Sequence, residues 1–286
     1  MVESVFVLEK DGRFLPTDGA RGPWDPRALH GGAATALITA AFERVEAPTR
    51  LRIARLSFEL VRPVPVAPLT LSTTIARDGR RVRELAAELR AGEDLVCRSI
   101  ALCVEEVPAG LPGVGAAPAG TPGAAADGPE GQVGGETEAD MWERALPGPD
   151  AGTPVRFALG EAEPLGFAGS SMEMRWLDDP SALGPARVWM RLRHPLVPGE
   201  PVSPLAALAA VADFGNGVSA RLPFADFLFI NADLTIHLHR APRGEWFGID
   251  ARTVLSTGGT GLAESVLHDV HGPVGRGFQT LVVGPR

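Results

Sequence analysis

Three features are scarce in this sequence: cysteine, positive charge and long apolar runs. The formal net charge is −8 over 286 residues, which disfavours nucleic acid and anionic membranes as partners because both require a basic surface. An anionic small ligand is still compatible, since a local basic patch can oppose the net charge. No stretch reaches the roughly 18 uninterrupted apolar residues of a membrane-spanning helix. We therefore expect no nucleic acid partner and no membrane partner.

The two cysteines, Cys97 and Cys103, lie six residues apart on one predicted strand. This spacing places them on the same face but too far apart to form a disulfide. We interpret them as free buried thiols, which suit a reducing compartment. Residues 1–12 combine a short apolar run with acidic neighbours and no basic start, unlike a secretory signal. Together these features predict a cytoplasmic protein.

Signatures of several other enzyme classes are also missing. The sequence has no GxxxxGK phosphate loop and no GxSxG elbow, so nucleotide hydrolysis and serine-esterase chemistry have no support. His237 and His239 share one face of a predicted strand. No further ligand lies at metal-binding spacing, and we interpret them as ordinary strand histidines. We expect neither a metal nor a cofactor.

The middle of the chain differs in composition from both halves. Residues 105–136 consist mainly of glycine, alanine and proline, with no aromatic residue. Such a segment cannot bury enough surface to offset its chain entropy. We therefore expect two domains, 1–105 and 141–286, joined by a linker over 106–140. With 45% hydrophobic residues, the chain is long enough for each half to bury a core.

Each half shows the same order of elements: two short strands, an alanine- and leucine-rich helix, then three or four longer strands. The first helix is predicted over 32–45. The second is predicted over 203–214, where Ser203 provides an N-cap and Pro204 the first helical residue. Residues 227–240 are predicted as one extended run. This order predicts an α+β fold, with two antiparallel sheets each wrapped round a central helix.

The two halves also match in register. A shift of 178 positions places Arg62 on Arg240, and the match rests on pattern more than on identity. The same shift aligns three polar residues of the second half with Thr35, Ile53 and Ala101 of the first: Asp213, Asn231 and Gln279. Polar groups at positions patterned as core need a reason. Because only the second copy of the repeat carries these polar groups, the sequence predicts a single functional site.

Short motifs in both halves carry a resemblance to a known family. The first half contains His30-Gly31-Gly32 and the segment 58–63, and the second half contains the segments 212–214, 237–240, 245–246 and 256–263 together with Gln279. In this order and spacing, the motifs resemble those of the bacterial acyl-CoA thioesterase II family. The fold of that family is a tandem, or double, hotdog. The resemblance covers the chain outside the predicted linker.

The resemblance implies that the chain hydrolyses acyl-CoA to a free fatty acid and CoA, with water as the direct nucleophile. In that family an aspartate on the second helix, a hydroxyl residue early in the next long strand and a glutamine in the last strand hold and activate the water. The corresponding residues here, and hence the predicted catalytic residues, are Asp213, Asn231 and Gln279. Asn231 replaces the threonine that is usual in the family but keeps a hydrogen-bonding group.

The segment His30-Gly31-Gly32, which opens the first helix, is the predicted substrate-binding site. Two glycines let a ligand approach the backbone closely. The free N–H groups of a first helical turn carry partial positive charge, which suits a thioester carbonyl or an oxyanion. A plain turn capped by the histidine is the alternative. In a hotdog pair the helices lie side by side, so this loop can face Asp213 of the other half.

Two other functions stay open. One is hydration or dehydration of an enoyl or hydroxyacyl thioester, which pairs an acid with a nearby histidine. The second half has no histidine between His194 and His237, and this counts against it. The other is an acyl-CoA-binding protein without activity, which Asn231 at the threonine position would fit. A homo-oligomer formed through exposed sheet edges or faces is also compatible with the fold.

Several charged and polar residues have a simpler interpretation than a functional one. Asp213 could face solvent at the end of its helix, and Asn231 and Gln279 could be polar residues at a solvent-facing strand edge. Glu43, near the end of the first helix, is expected to be solvated. Four arginines form a basic hairpin that could meet the phosphates of CoA, although a solvated turn is the simpler interpretation: Arg77, Arg80, Arg81 and Arg83.

Overall fold

The computed structural model describes residues 3–46, 50–107, 145–156 and 166–286. Apart from residues 106 and 107, the predicted linker lies outside the described residues. The domain boundaries at this linker remain predictions.

Each half contributes two or more short strands, a helix and several longer strands. The first half contains β1 (Phe6–Leu8), β2 (Phe14–Pro16), α1 (Gly31–Glu46), β3 (Leu51–Glu59), β4 (Leu69–Asp78), β5 (Val82–Ala91) and β6 (Asp94–Glu105). The second half contains β7 (Thr153–Val155), β8 (Met172–Trp176), β9 (Ala186–Leu192), α2 (Pro204–Ala212), α3 (Gly215–Val218), β10 (Phe227–Asn231), β11 (Asp233–Leu238), β12 (Phe247–Leu255), β13 (Thr260–Asp269) and β14 (Gly272–Pro285).

The described strands form one antiparallel sheet. Its order is β1-β2-β4-β5-β6-β3-β11-β14-β13-β12-β9-β8-β7, and β10 also pairs with β14. The halves are joined where β3 pairs with β11, from Glu59 opposite Asp233 to Arg55 opposite His237. The strands of the two halves are therefore continuous, where the sequence predicted two sheets. A large antiparallel sheet with few helices is of the α+β class.

The repeat predicted from the sequence is present in the strands. The strands β4, β5 and β6 begin 178 positions before β12, β13 and β14. Ile53 pairs with Cys103 in the first half, and Asn231 pairs with Leu281 at the equivalent place in the second. The predicted correspondence of Ile53 with Asn231 therefore holds.

The helices do not follow the same shift. Helix α1 begins at Gly31 and α2 at Pro204, 173 positions apart, so the predicted correspondence of Thr35 with Asp213 is wrong. In the second half β10 begins nine positions after the end of α3, whereas in the first half β3 begins five positions after the end of α1. The longer connection in the second half accounts for most of the difference between the shift of 173 positions for the helices and that of 178 positions for the strands.

Helices α1 and α2 lie side by side in opposite directions. Near the start of α1, the Thr35 hydroxyl donates to the backbone oxygen of Ala209 in α2 at 3.1 Å. A Cβ on Gly32 would come within 2.6 Å of a backbone oxygen of α2, so glycine permits this close approach. At the other end, the Ser203 hydroxyl donates to Glu43. The expectation that Glu43 is solvated is wrong, since it is partly buried and this burial raises its pKa.

The second helix begins as predicted but ends earlier. Ser203 caps it by accepting a hydrogen bond from the Ala206 N–H at 3.0 Å, and Pro204 is its first residue. It ends at Ala212, and the helical segment α3 starts again at Gly215. Asp213 therefore lies at a break between two helical segments.

No helix within the described ranges is both long and apolar enough to cross a bilayer.

The run predicted as one strand over 227–240 is divided at Ala232 into β10 and β11. The Ala232 N–H donates to the backbone oxygen of Thr280 in β14 at 2.9 Å. Its own oxygen accepts from the N–H of Leu60, just beyond β3, also at 2.9 Å. Ala232 thus connects the last strand of the second half to the first half.

Both cysteines are buried and neither is in a disulfide, as predicted. Burial raises the pKa of the Cys97 thiol to about 11. A thiol with this pKa stays protonated at neutral pH and is a poor nucleophile. Cys97 and Cys103 are therefore part of the core.

A buried ion pair closes the turn between β13 and β14. The Asp269 side chain has no solvent exposure and accepts two hydrogen bonds from Arg240, at 2.6 and 2.7 Å. Burial alone would raise the pKa of Asp269, but hydrogen bonds from Arg240 and from the N–H groups of His271 and Arg243 hold it below its usual value. The ionised carboxylate is therefore part of the folded structure.

We expect Asp269→Ala to lower the free energy of unfolding by about 3–5 kcal/mol, because the Arg240 guanidinium then stays largely buried without its partner. The depressed pKa of Asp269 implies that its contribution is complete above the pKa of the unfolded chain. It is lost as the pH falls through the lower pKa of the folded state. Urea unfolding of both proteins at neutral and at acidic pH measures these effects.

Asp78→Ala is the matched control, since it removes an exposed carboxylate from an ion pair with Arg83. We expect it to change stability by less than about 1 kcal/mol. Equal losses for the two substitutions would contradict the role given to the Asp269 pair.

Candidate active site

The start of α1 meets the end of α2 because the two helices run antiparallel. His30 immediately precedes α1, and Asp213 immediately follows α2. His30 Nδ1 lies 3.0 Å from Asp213 Oδ2. The structure thus brings together the segment predicted to bind substrate and the predicted catalytic acid, from opposite halves of the chain.

Asp213 is buried, with 4% of its surface exposed, so the alternative that it faces solvent is wrong. Its Oδ1 accepts a hydrogen bond from Asn231 Nδ2 at 2.8 Å, and its Oδ2 faces His30. A buried carboxylate requires such partners. Each oxygen nevertheless keeps a lone pair for a further donor, because a carboxylate offers about four acceptor sites.

His30 Nδ1 has two polar neighbours. It accepts a hydrogen bond from the Gly32 N–H at 3.0 Å, and it lies within hydrogen-bond distance of the Asp213 carboxylate. The Nδ1 atom of His30 is thus in contact with the first turn of α1 and with the acid of the other half.

Two phenylalanines hold the imidazole ring of His30. Phe214 stacks on it with ring centroids 4.4 Å apart, and Phe167 lies at 5.3 Å. Phe214 directly follows Asp213, so the break after α2 presents both a carboxylate and an aromatic ring to His30. Neither phenylalanine was predicted as a site residue. The position of Phe214 next to Asp213 is the signal that could have pointed to it.

Gly31 lies against the carboxylate of Asp213. A Cβ at this position would come within 2.8 Å of both carboxylate oxygens, so only glycine leaves the carboxylate in place. The N–H of Gly32 is engaged by His30, whereas the N–H of Gly31 has no acceptor within the described ranges. Of the two predicted glycines, Gly31 is the one whose amide is available to a ligand.

Gln279 lies beside the same helix break, and its hydrogen bonds go to the backbone. Its Nε2 donates to the backbone oxygen of Asp213 at 3.0 Å, and its Oε1 accepts from the Asn216 N–H at 2.9 Å. These two bonds satisfy groups left unpaired where a helix ends. Gln279 is 2% exposed, so the alternative that it faces solvent is wrong. Asn216, which sequence reasoning missed, is held in turn by the backbone oxygen of Phe229.

The site borders a cavity of about 1160 Å³. Four of the predicted site residues are in its wall: His30, Gly31, Asp213 and Asn231. Much of the remaining wall is apolar and comes from both halves, including Trp24, Leu60, Met174, Trp176, Phe214 and Phe224. Gly32 and Gln279 are buried outside this wall. A large apolar cavity with a few convergent polar groups is typical of a small-molecule site.

Metal-ligating residues are not clustered in the part of the chain that the structure describes. No group of three His, Cys, Asp or Glu side chains is placed there to hold a metal ion. His237 is exposed on β11, in line with its interpretation as a strand residue. The predicted site residues in the cavity wall therefore contribute a carboxylate, an imidazole, a carboxamide and a backbone N–H.

The chain is similar over nearly its whole length to solved thioesterase structures. It aligns with the acyl-CoA thioesterase II TesB2 of Mycobacterium marinum at 18% identity and a TM-score of 0.59, over 91% of this chain and 90% of that chain. A proposed thioesterase II of Thermobifida fusca gives 16% identity and a TM-score of 0.69, over 99% and 96%. A protein with a hot dog fold from Alicyclobacillus acidocaldarius gives 16% and 0.62, over 98% and 96%. These similarities show a hotdog fold.

Family models identify both halves of the sequence. A search of curated protein sequences gives no match. The model of the acyl-CoA thioesterase N-terminal domain matches residues 20–104, and that of the acyl-CoA thioesterase C-terminal domain matches residues 149–283. Since these matches span most of the sequence, the chain belongs to the acyl-CoA thioesterase family and is a hydrolase that acts on acyl-CoA.

Proposed function

We propose that this chain hydrolyses acyl-CoA to a free fatty acid and CoA at one site, by direct attack of a water molecule that Asp213 activates. The observation that carries the proposal is the buried Asp213 carboxylate in the cavity wall. It is held by His30 from the first half and by Asn231 from the second. Because water itself attacks the thioester, no covalent intermediate with the protein forms.

Asp213 is the general base in this proposal. With Oδ1 bonded to Asn231 and Oδ2 beside His30, the carboxylate still has lone pairs that can accept a proton from water. Asn231 uses its Nδ2 on Asp213, so its carboxamide oxygen is free to accept the second hydrogen of the same water. Asp213 can then return this proton to the thiolate that leaves.

Gly31 supplies a donor for the thioester oxygen. Attack by water places negative charge on this oxygen, and donors already aimed at it lower the barrier. Gly31 lines the cavity at the first turn of α1, where the helix dipole adds positive potential. The N–H of Gly32 is engaged by His30, and this leaves Gly31 for the role.

Gln279 acts as a positioning residue. The resemblance to the thioesterase II family implied that it contacts the water. Its carboxamide instead bonds the backbone of Asp213 and Asn216, and through these bonds it sets the place where α2 stops. Asp213 projects from that break, so Gln279 supports the carboxylate through the backbone.

The wider setting follows from the reaction and from the cysteines. Release of a fatty acid fits a role in fatty acid metabolism, and the lack of a disulfide at Cys97 and Cys103 suits the reducing cytoplasm. In this proposal each half of the sheet curves round its own helix, which leaves the site at the seam between the halves.

Asp213→Asn removes the proton acceptor but keeps the size of the side chain. We expect kcat for acyl-CoA hydrolysis to fall by about 10²–10⁴-fold, the usual contribution of a general base, while the protein stays folded. Thiol release followed with a chromogenic disulfide measures the rate, and circular dichroism measures the fold. Asp226→Asn makes the same change at an exposed residue and serves as the control. Undiminished thiol release by Asp213→Asn would refute the assignment.

Gly31→Ala pushes a methyl group against the carboxylate, since its Cβ would lie 2.8 Å from both oxygens of Asp213. A displaced catalytic group costs about 10²-fold in rate, and we expect kcat to fall by this amount with little change in thermal stability. Gly148→Ala is the control, because a Cβ there meets nothing within 4 Å. If Gly31→Ala keeps full activity, the tight contact between Gly31 and Asp213 has no role in the reaction.

One observation favours a second candidate function, hydration of an enoyl-CoA or dehydration of a hydroxyacyl-CoA. The sequence counted against it because the second half has no histidine near Asp213. His30 of the first half fills that place at 3.0 Å. An acid and an imidazole that face one substrate can add or remove the elements of water across a carbon–carbon double bond, because they can exchange the required protons.

Crotonyl-CoA distinguishes these functions. Hydrolysis releases a free thiol, whereas hydration removes the enoyl absorbance without releasing thiol. We expect thiol release from the wild-type protein, in a ratio of one thiol per crotonyl group consumed. Loss of absorbance without thiol would favour hydration. Tight binding without either signal would indicate an acyl-CoA-binding protein that has no activity.

A further inference from the structure

The cavity wall contains more basic than acidic side chains, although the chain as a whole is acidic. Its three arginines are Arg62, Arg156 and Arg286. Because the formal charge of the sequence is −8, an average part of the protein surface would carry more acidic than basic side chains. Three guanidinium groups against two carboxylates in this wall therefore favour an anionic ligand, because they raise the local potential against the net charge.

The two acidic residues in the same wall already have partners. Asp25 accepts hydrogen bonds from the backbone N–H and the guanidinium of Arg27. Asp213 is held by His30 and Asn231. Neither carboxylate is paired with one of the three cavity arginines.

Each of the three arginines is exposed and lies beyond the end of a strand. Arg62 follows β3 and pairs with Asp94 at 2.5 Å, with both side chains more than half exposed. Such a pair is weak, and a ligand can replace the carboxylate. Arg286 follows β14, and its guanidinium lies over the Trp24 ring at 5.5 Å, which orients it. Arg156 directly follows β7.

We propose that Arg62, Arg156 and Arg286 bind the phosphate groups of CoA, and that they select CoA thioesters over thioesters without phosphate. The inference rests on the proposed hydrolysis at Asp213, because it assigns a subsite of the same cavity. Guanidinium groups match phosphate oxygens in charge and in geometry. In acyl-CoA the phosphates lie at the end remote from the thioester, so exposed arginines can hold them while the apolar wall receives the acyl group.

The basic hairpin noted in the sequence is not part of this wall. Arg83 pairs with Asp78, and Arg81 pairs with Glu105. Arg80 and Arg81 are exposed at the turn between β4 and β5. As far as the described residues show, no hairpin arginine borders the cavity. The hairpin therefore offers a control in which the same charge is removed at a different place.

The experiment compares two substrates with the same acyl group, octanoyl-CoA and octanoyl-pantetheine, the second of which carries no phosphate. In Arg62→Ala/Arg286→Ala, we expect KM for octanoyl-CoA to rise about 10–100-fold and kcat to stay within about twofold. Arg156→Ala should give a smaller rise. KM for octanoyl-pantetheine should stay unchanged in both variants. Added salt should raise KM for octanoyl-CoA more in the wild type than in the double variant.

The control variant is Arg80→Ala/Arg81→Ala, for which we expect no change in either KM. Equal rises for both substrates in the cavity variants would show that the arginines support the cavity and would overturn the proposal. No rise for octanoyl-CoA, or a rise confined to the hairpin variant, would overturn it as well. Absence of thiol release from both substrates in the wild type would refute the proposed hydrolysis instead. In that case, calorimetry measures the affinity of the wild type and of the variants for CoA, and this tests the role of the arginines independently of hydrolysis.

Discussion

The antiparallel contact between α1 and α2 determines where the proposed catalytic groups lie. A glycine and a threonine hydroxyl at the crossing let the two helices approach closely, and the start of one helix is thereby placed at the end of the other. A first-turn N–H, an imidazole and a carboxylate then meet at one point. Neither half could assemble this set alone, because the donor groups and the acid belong to different helices.

Most of the strand order could be predicted from the sequence because it depends on local signals. The alternation of apolar residues and the turn residues located β4 to β6 and β12 to β14, and their shift of 178 positions is confirmed. The helices depart from that shift, and Ala232 divides a run predicted as continuous. Both differences are tertiary effects: a longer connection moves α2 along the chain, and hydrogen bonds to Thr280 and Leu60 fix the break.

Residues of the candidate site could be predicted from the sequence when a polar side chain occurred at a position whose neighbours follow an apolar pattern. Asn231 and Gln279 are polar at positions expected to be core, and Asp213 is the one charged residue of an otherwise apolar predicted helix. All three lie around one helix break. The roles of these residues depend on distances that no local pattern contains. His30 and Asp213 are far apart in sequence yet 3.0 Å apart in space. Gln279 has its carboxamide on the backbone, a detail that only the three-dimensional structure shows.

The pairing of β3 with β11 has a consequence for the evolution of the tandem chain. If the halves were separate molecules, each of these central strands would be an open edge with unpaired backbone groups and buried apolar side chains such as Leu56 and Ile236 on one face. Open apolar edges recruit other strands and lead to aggregation. Fusion of the halves keeps the matching edge at a high effective concentration. One copy can then differ from the other in its polar groups, because the two halves cannot dissociate.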